Sequence, residues 1–357
     1  MKTILNKTVL RMLAIVMLAL GLYGCDSFIY DDEGDCAPYY KVRFVWDTNL
    51  RFVDAFAAEG EEVTLYVIDS ETGKIVWQRH ESGEHVKAEG YLMDVDIEPG
   101  TYDLVAWCGR GHTGSFAVAE GDRREDLRCR LADRIPAAGG TGSEVRNPLG
   151  RLFHGKSERV VFEDEQGVHI KTVRLIKDTN DLHIVLQHLS GQDIDHRDYT
   201  FTVTGDNGHM DWDNSLLADE PVTYYAHDTY SGAAGIYMPD DAGTIIAPSR
   251  GPVIQVSAAV AHLSLGRLVK DNDETNDLRV NIHHKSGKLV ASVPLVDYAL
   301  LVRGKYRRPD GTPLTDQEYL DYQDDYSMVF FLDENGRWEK TQLYINSWRV
   351  IWQNTEL

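Results

Sequence analysis

From residue 40 onward, apolar positions recur mainly at a spacing of two. Tyr40, Val42, Phe44 and Trp46 alternate with Lys41, Arg43 and Asp47, so one face of a strand meets a core and the other meets water. Val63-Thr64-Leu65-Tyr66-Val67-Ile68 is a β-branched and aromatic run. It reaches Asp69-Ser70-Glu71-Thr72-Gly73-Lys74 and resumes as Ile75-Val76-Trp77, the signature of a hairpin with a loop longer than two residues. Tyr91, Met93, Val95 and Ile97 alternate around Asp94 and Asp96, and Pro99-Gly100 turns the chain into a run from Tyr102 to Cys108. Strands at this spacing, with polar turns between them, predict an antiparallel sandwich and not βαβ units.

Composition shifts at Arg134-Ile135-Pro136-Ala137-Ala138-Gly139-Gly140-Thr141-Gly142-Ser143. With no apolar periodicity, this Gly/Ala-rich stretch reads as a linker. Alternation returns at Leu182, Ile184 and Leu186, again at Tyr199, Phe201 and Val203, and in Val253-Ile254-Gln255-Val256. One helix is predicted near the C-terminus. Thr315-Asp316-Gln317-Glu318 is a capping box, and Tyr319 to Asp325 continue it. Leu343-Tyr344-Ile345, Asn346-Ser347 and Trp348-Arg349-Val350-Ile351-Trp352 predict a closing hairpin. The expected organisation is therefore all-β, with one sandwich over 38–135, a linker over 136–149 and a second sandwich over 150–357. No repeat with a fixed period is present.

The N-terminal segment follows different rules. Lys2, Lys7 and Arg11 precede an uninterrupted apolar run from Met12 to Leu22, and small Gly24 stands before Cys25. The 11 apolar residues span about 16 Å as a helix, against roughly 30 Å of hydrocarbon in a bilayer. The run is thus too short to cross, and residues 1–24 read as an export signal. Leu22-Tyr23-Gly24-Cys25 further resembles the bacterial lipobox, whose cysteine thiol is acylated before cleavage. Residues 25–37, including Asp31-Asp32-Glu33-Gly34-Asp35, then form an acidic tether, similar to the surface-export signal of Bacteroidetes lipoproteins. Two or more acyl chains suffice for stable anchoring.

Charge sharpens this picture. The 357 residues carry 36 basic and 57 acidic side chains, a net −21, and loss of the three basic residues of the signal takes it to −24. Such a chain repels phosphate, which argues against nucleic acid as a partner. It also leaves the acyl chains as the expected membrane contact. With Cys25 acylated, Cys36, Cys108 and Cys129 remain. An odd count in an exported chain implies one pair and one leftover thiol, with three choices of pair.

Candidate chemistry is sparse. Gly150-Arg151-Leu152-Phe153-His154-Gly155-Lys156-Ser157 fits the pattern of a nucleotide-binding P-loop. Its Arg, Leu, Phe and His would crowd a phosphate-wrapping backbone, and the following Arg159-Val160-Val161-Phe162 reads as a strand where a helix is required. No nucleotide or other cofactor is expected. His80-Glu81-Ser82-Gly83-Glu84-His85 has the wrong spacing for a zinc helix, and Gly83 favours a turn. His283-His284 would point to opposite faces of a strand. Asp206-Asn207-Gly208 with Asp211 and Asp213 lacks the spacing and terminal Glu of a calcium loop. These residues predict neither a metal site nor a catalytic constellation, and the chain is not expected to be an enzyme.

Several stretches together resemble the FimB-type fimbrial anchor family of Bacteroidetes lipoproteins. They are Cys25 in its lipobox, Asp35-Cys36-Ala37-Pro38, Phe44-Val45-Trp46-Asp47-Thr48-Asn49 followed by Asp54-Ala55-Phe56, Glu98 to Trp107, Leu127-Arg128-Cys129-Arg130-Leu131, Leu152-Phe153-His154-Gly155, Asp316 to Asp321, and Phe330-Phe331-Leu332-Asp333. Cys108 and Ser347 stand where that family usually has Gly. The resemblance implies two transthyretin-like sandwiches, a Cys36–Cys129 disulfide and lipid attachment at Cys25. It also implies residence at the outer membrane under a fimbrium whose length the protein limits. Its partners would then be a fimbrial shaft subunit (pilin) and accessory tip proteins, gripped by β-strand addition. A surface glycan-binding lipoprotein is the competing expectation, since seven Trp and eighteen Tyr permit aromatic platforms.

Overall fold

The computed structural model describes residues 37–109, 114–236, 254–270, 278–346 and 348–350. Strands are numbered in chain order. The first sheet contains β1 (Pro38–Val45), β2 (Glu62–Asp69), β3 (Ile75–Ser82), β4 (Met93–Val95), β5 (Gly100–Cys108), β10 (Phe153–Phe162) and β11 (Gly167–Lys177). Its order is β3-β2-β5-β10-β11-β1-β4. The alternation in β1 works as predicted: Tyr40, Val42 and Phe44 are buried, while Tyr39 and Arg43 face water. The predicted turn at Asp69 is closed by its carboxylate, which accepts the Thr72 amide and hydroxyl at 2.7 Å each.

This sheet rolls on itself. Its terminal strands meet where Arg79 of β3 donates to the Asp94 carbonyl of β4 at 2.8 Å. Side chains from both ends, including Val42, Leu65, Leu104 and Val173, therefore share one core. At the crossing from β10 to β11 the backbones approach closely. A Cβ on Gly155 would lie 2.6 Å from Val173 Cγ1 and 2.7 Å from the Arg174 carbonyl, so only glycine fits without displacement.

The second half packs two six-stranded sheets face to face. One holds β12 (Asn180–His188), β16 (Asp228–Ile236), β17 (Ile254–Leu265), β20 (Asp325–Leu332), β21 (Trp338–Ile345) and β22 (Trp348–Val350), ordered β16-β17-β12-β20-β21-β22. The other holds β8 (Ile135–Pro136), β9 (Ser143–Val145), β13 (Tyr199–Gly205), β15 (Val222–Tyr225), β18 (Arg279–His284) and β19 (Leu289–Pro294), ordered β19-β18-β13-β15-β9-β8. Leu182, Ile184 and Phe330 from the first meet Phe201, Val203 and Ile282 from the second, all at 0–1% exposure. A small sheet of β6 (Phe116–Val118), β7 (Cys129–Leu131) and β14 (His209–Met210) adds to this core. So do Ile68, Val105 and Trp107 from the outer face of the first sheet.

The all-β expectation holds, but the strands do not respect a boundary at 136–149. β8, at the start of the supposed linker, and β9, within it, pair inside the second half, with Ser143 opposite Val222. β10 and β11, assigned to the second sandwich, lie in the first sheet, where β11 runs parallel to β1 from Pro38↔Gly167 to Val45↔Arg174. The Gly/Ala-rich stretch is instead a tight loop, closed where the Ala137 amide donates to the Gly142 carbonyl at 3.1 Å. Composition marks loops; it does not say which strands they join.

Three short α-helices occur among the described residues: α1 (Phe56–Glu59), α2 (Leu295–Leu300) and α3 (Asp316–Tyr322). The predicted capping box opens α3. Thr315 Oγ1 accepts the Glu318 amide at 3.3 Å, and Glu318 Oε2 accepts the Thr315 amide at 2.8 Å. α3 stops at Tyr322, three residues before the expected end, because Asp325 already begins β20. The closing hairpin is present as β21 and β22, with Ile345 opposite Trp348.

Candidate anchoring and assembly surfaces

Cys25 and Cys36 lie outside the described residues. The described chain enters its first strand at Pro38, the first residue of β1. That strand is not at the rim: it is flanked by β11 along its whole length and by β4 at Tyr40–Val42. Cys108 ends β5 within the first core, and Cys129 sits in β7 opposite Val118 and Met210, both thiols buried.

Behind the first sheet, charged side chains form a joint that no sequence pattern announced. Asp178, between β11 and β12, is fully buried and accepts from Arg267 Nη1 and Asn214 Nδ2, each at 2.9 Å. Arg267 Nη2 reaches Asp321 of α3 at 2.9 Å, and Gln317 Nε2 donates to the same carboxylate at 2.8 Å. Burial pushes the Asp178 pKa up to about 6, against the opposing pull of Arg267 and the Asn214 hydrogen bond. Nearby, His154 of β10 packs its ring 4.5 Å from that of Trp107 and places Nε2 2.9 Å from the Trp212 carbonyl. Burial drives its pKa down to about 3, so the imidazole is neutral and donates. Removing one partner of a buried pair such as Asp178–Arg267 typically costs about 3–5 kcal/mol. The arrangement fastens α3 and the ends of β11, β12 and β17 together; it offers no group to a substrate.

The motif hits take structural roles. Residues 153–157 of the P-loop pattern are β-strand, paired with β5 from Phe153↔Cys108 to Ser157↔Leu104. Lys156 lies over the Trp212 ring. His85 Nε2 meets Glu81 at 3.2 Å at the end of β3. Asn207 spends its side chain on the Arg267 carbonyl at 3.0 Å and the Tyr224 hydroxyl at 2.8 Å. Asp213 caps Ser215. No trio of His, Cys, Asp or Glu among the described residues is preassembled around a metal position, and no described helix is long and apolar enough to cross a membrane.

Among the described residues, what remains open are sheet edges, of which β22 is only three residues long. β3 and β4 close on each other through Arg79, and β8 is two residues long. β16 offers nine residues and β19 six. Tyr230 on β16 and Leu289 on β19 are large apolar side chains left exposed at these edges. Trp46 and Trp107, by contrast, are buried, so they cannot serve as glycan platforms.

Among the described residues the fold thus presents a buried polar joint and open sheet edges. The sequence model of the fimbrillin-A associated anchor proteins Mfa1 and Mfa2 matches residues 32–354. The chain belongs to that family, whose members are fimbria-associated surface proteins of structural type and not enzymes. Among solved structures it is similar to a candidate adhesin from Bacteroides thetaiotaomicron, with 29% identity, 90% of this chain and 99% of that one covered, and a TM-score of 0.74. A candidate polysaccharide-binding protein from the same species gives 27% identity, 90% and 99% coverage, and a TM-score of 0.70. The fimbrial anchor protein Mfa2 from Porphyromonas gingivalis shares the fold at 14% identity, 88% and 99% coverage, and a TM-score of 0.60. No curated protein matches significantly.

Proposed function

We propose that the protein is a basal fimbrial subunit, held at the outer membrane by acyl chains on Cys25, which grips a pilin by strand pairing and limits fibre length. The observation that carries this reading is the family match across 32–354 in a chain that opens with a lipobox-like signal. The fold supports it in two ways. The tether enters a strand paired on both sides, so tension along the chain loads the β1–β11 ladder in shear, and β16 and β19 leave edges on which an extended segment can add. The Cys36–Cys129 bridge belongs to the same proposal and would appear as one linked peptide in non-reducing mass mapping. Deleting the gene should give fibres that are shed or overlong. Fibres of normal length still attached to the deletion strain would reject the reading.

A further inference from the structure

We propose that the outer face of the β16-β17-β12-β20 sheet carries a two-histidine chelate for a divalent transition-metal cation of the Zn²⁺ or Ni²⁺ type. His183 of β12 and His262 of β17 are directly opposed across the antiparallel pair. Their ring centroids lie 4.4 Å apart at 77°. A cation about 2.0–2.1 Å from one nitrogen of each ring, with an angle near 90–110° between them, requires centroids roughly 4.5–5.2 Å apart. The rings are thus almost at chelating distance, in an edge-to-face pose, on residues that the sheet register sets opposite each other. Both remain reachable from solvent, with side-chain exposures of 37% for His183 and 29% for His262.

Carboxylates flank the pair on both neighbouring strands. Asp325 Oδ1 of β20 is 3.3 Å from His183 Nε2, the separation of two donors in one coordination sphere. Its side chain is 68% exposed, and a turn toward the rings would bring it in as a third ligand. Asp228 of β16, the cross-strand partner of His262, has Oδ2 3.9 Å from His262 Nδ1. At that distance Asp228 adds negative charge beside the ring without a hydrogen bond, and Nε2 is the nitrogen of His262 on the side away from it. Asp181 and Asp324 add negative charge nearby, while His227 points its Nε2 at Ser264 Oγ, 3.4 Å away. The two rings are the fixed part of the site and Asp325 the adaptable part. The inference rests on this sheet face alone and is independent of how the protein is anchored.

Calorimetric titration of the untagged, thiol-alkylated mature chain with ZnCl₂ and NiCl₂ tests it. The expected result is one saturable equivalent at pH 7.5, weakened about tenfold or more at pH 5.5 as protons compete for the rings. His183→Ala and His262→Ala should each lower affinity at least about tenfold, with Asp325→Asn giving a smaller loss. Circular dichroism of the metal-free variants should match wild type, since both rings sit on the solvent face. Independently of any variant, substoichiometric Cu²⁺ should selectively broaden the NMR ring signals of His183 and His262. Absence of saturable heat at millimolar metal, equal binding by His183→Ala, or broadening centred on other histidines would each overturn the proposal.

Discussion

His154, which the sequence offered only within a false motif and a family segment, shows how one residue sets a pH response. Its ring is enclosed against Trp107, and burial brings its pKa down to about 3 from a usual 6.5. Above pH 6.5 the imidazole is neutral in both folded and unfolded chains and contributes no pH dependence. As pH falls below 6.5 the unfolded chain takes up a proton that the native state refuses, so stability is lost until about pH 3. The slope for one such proton is about 1.4 kcal/mol per pH unit. His154→Gln keeps a donor for the Trp212 carbonyl and does not titrate. Between pH 7 and 5, wild type should therefore lose about 2 kcal/mol more than this variant. Urea midpoints at the two pH values measure it, and identical pH responses would refute the assignment. Asp178 and Arg267 were invisible for a related reason: they stand in unremarkable loops, and nothing in local spacing says that folding will bury them together.

Elements were far easier to read than their partners. The capping box predicts that Thr315→Ala lowers stability by about 1 kcal/mol while Thr315→Ser is close to neutral. Chemical denaturation checks this directly, and an unaffected Thr315→Ala variant would mean that α3 is held by its packing alone. The same local logic located β1, β2, β3, β5, β12, β13 and the closing hairpin, because side-chain alternation is a property of each strand by itself. Strand pairing is not. β11 follows the composition break, inside the range expected for the second sandwich, yet it lies parallel to β1 in the first sheet. What permits this is the close crossing at Gly155, where a side chain would strike Val173 and the Arg174 carbonyl. A glycine in a strand signals close approach without naming what approaches. That is why the division at 136–149 separated strands that the fold keeps together.

At the scale of the whole molecule, the proposed pilin grip narrows to edges that can accept a strand without dismantling their own sheet. β19 is one, and its hydrogen-bonding phase is fixed by its neighbour. The Leu295 amide donates to the Leu278 carbonyl at 2.7 Å, which makes the pair two steps along, Val280↔Val293, the next to exchange ladder bonds. The Ser292 amide, in the alternate position, then faces outward from the edge. Proline there removes an outward donor but no internal ladder bond, the placement that edge strands tolerate. Proline also gives up the bonds of Ser292 Oγ to Asn281 Oδ1 at 2.8 Å and from Arg279 Nε at 3.3 Å, so Ser292→Ala is the reference. Ser292→Pro should melt close to it, while an incoming strand loses one hydrogen bond and meets the ring. If β19 receives the pilin, cells carrying this variant should shed fibres even though the protein reaches the surface in normal amount. Electron microscopy of attached fibres, with surface labelling of the variant as control, separates the outcomes. Fibres that stay attached at normal length would remove β19 from the acceptor role and leave β16 as the edge to block next.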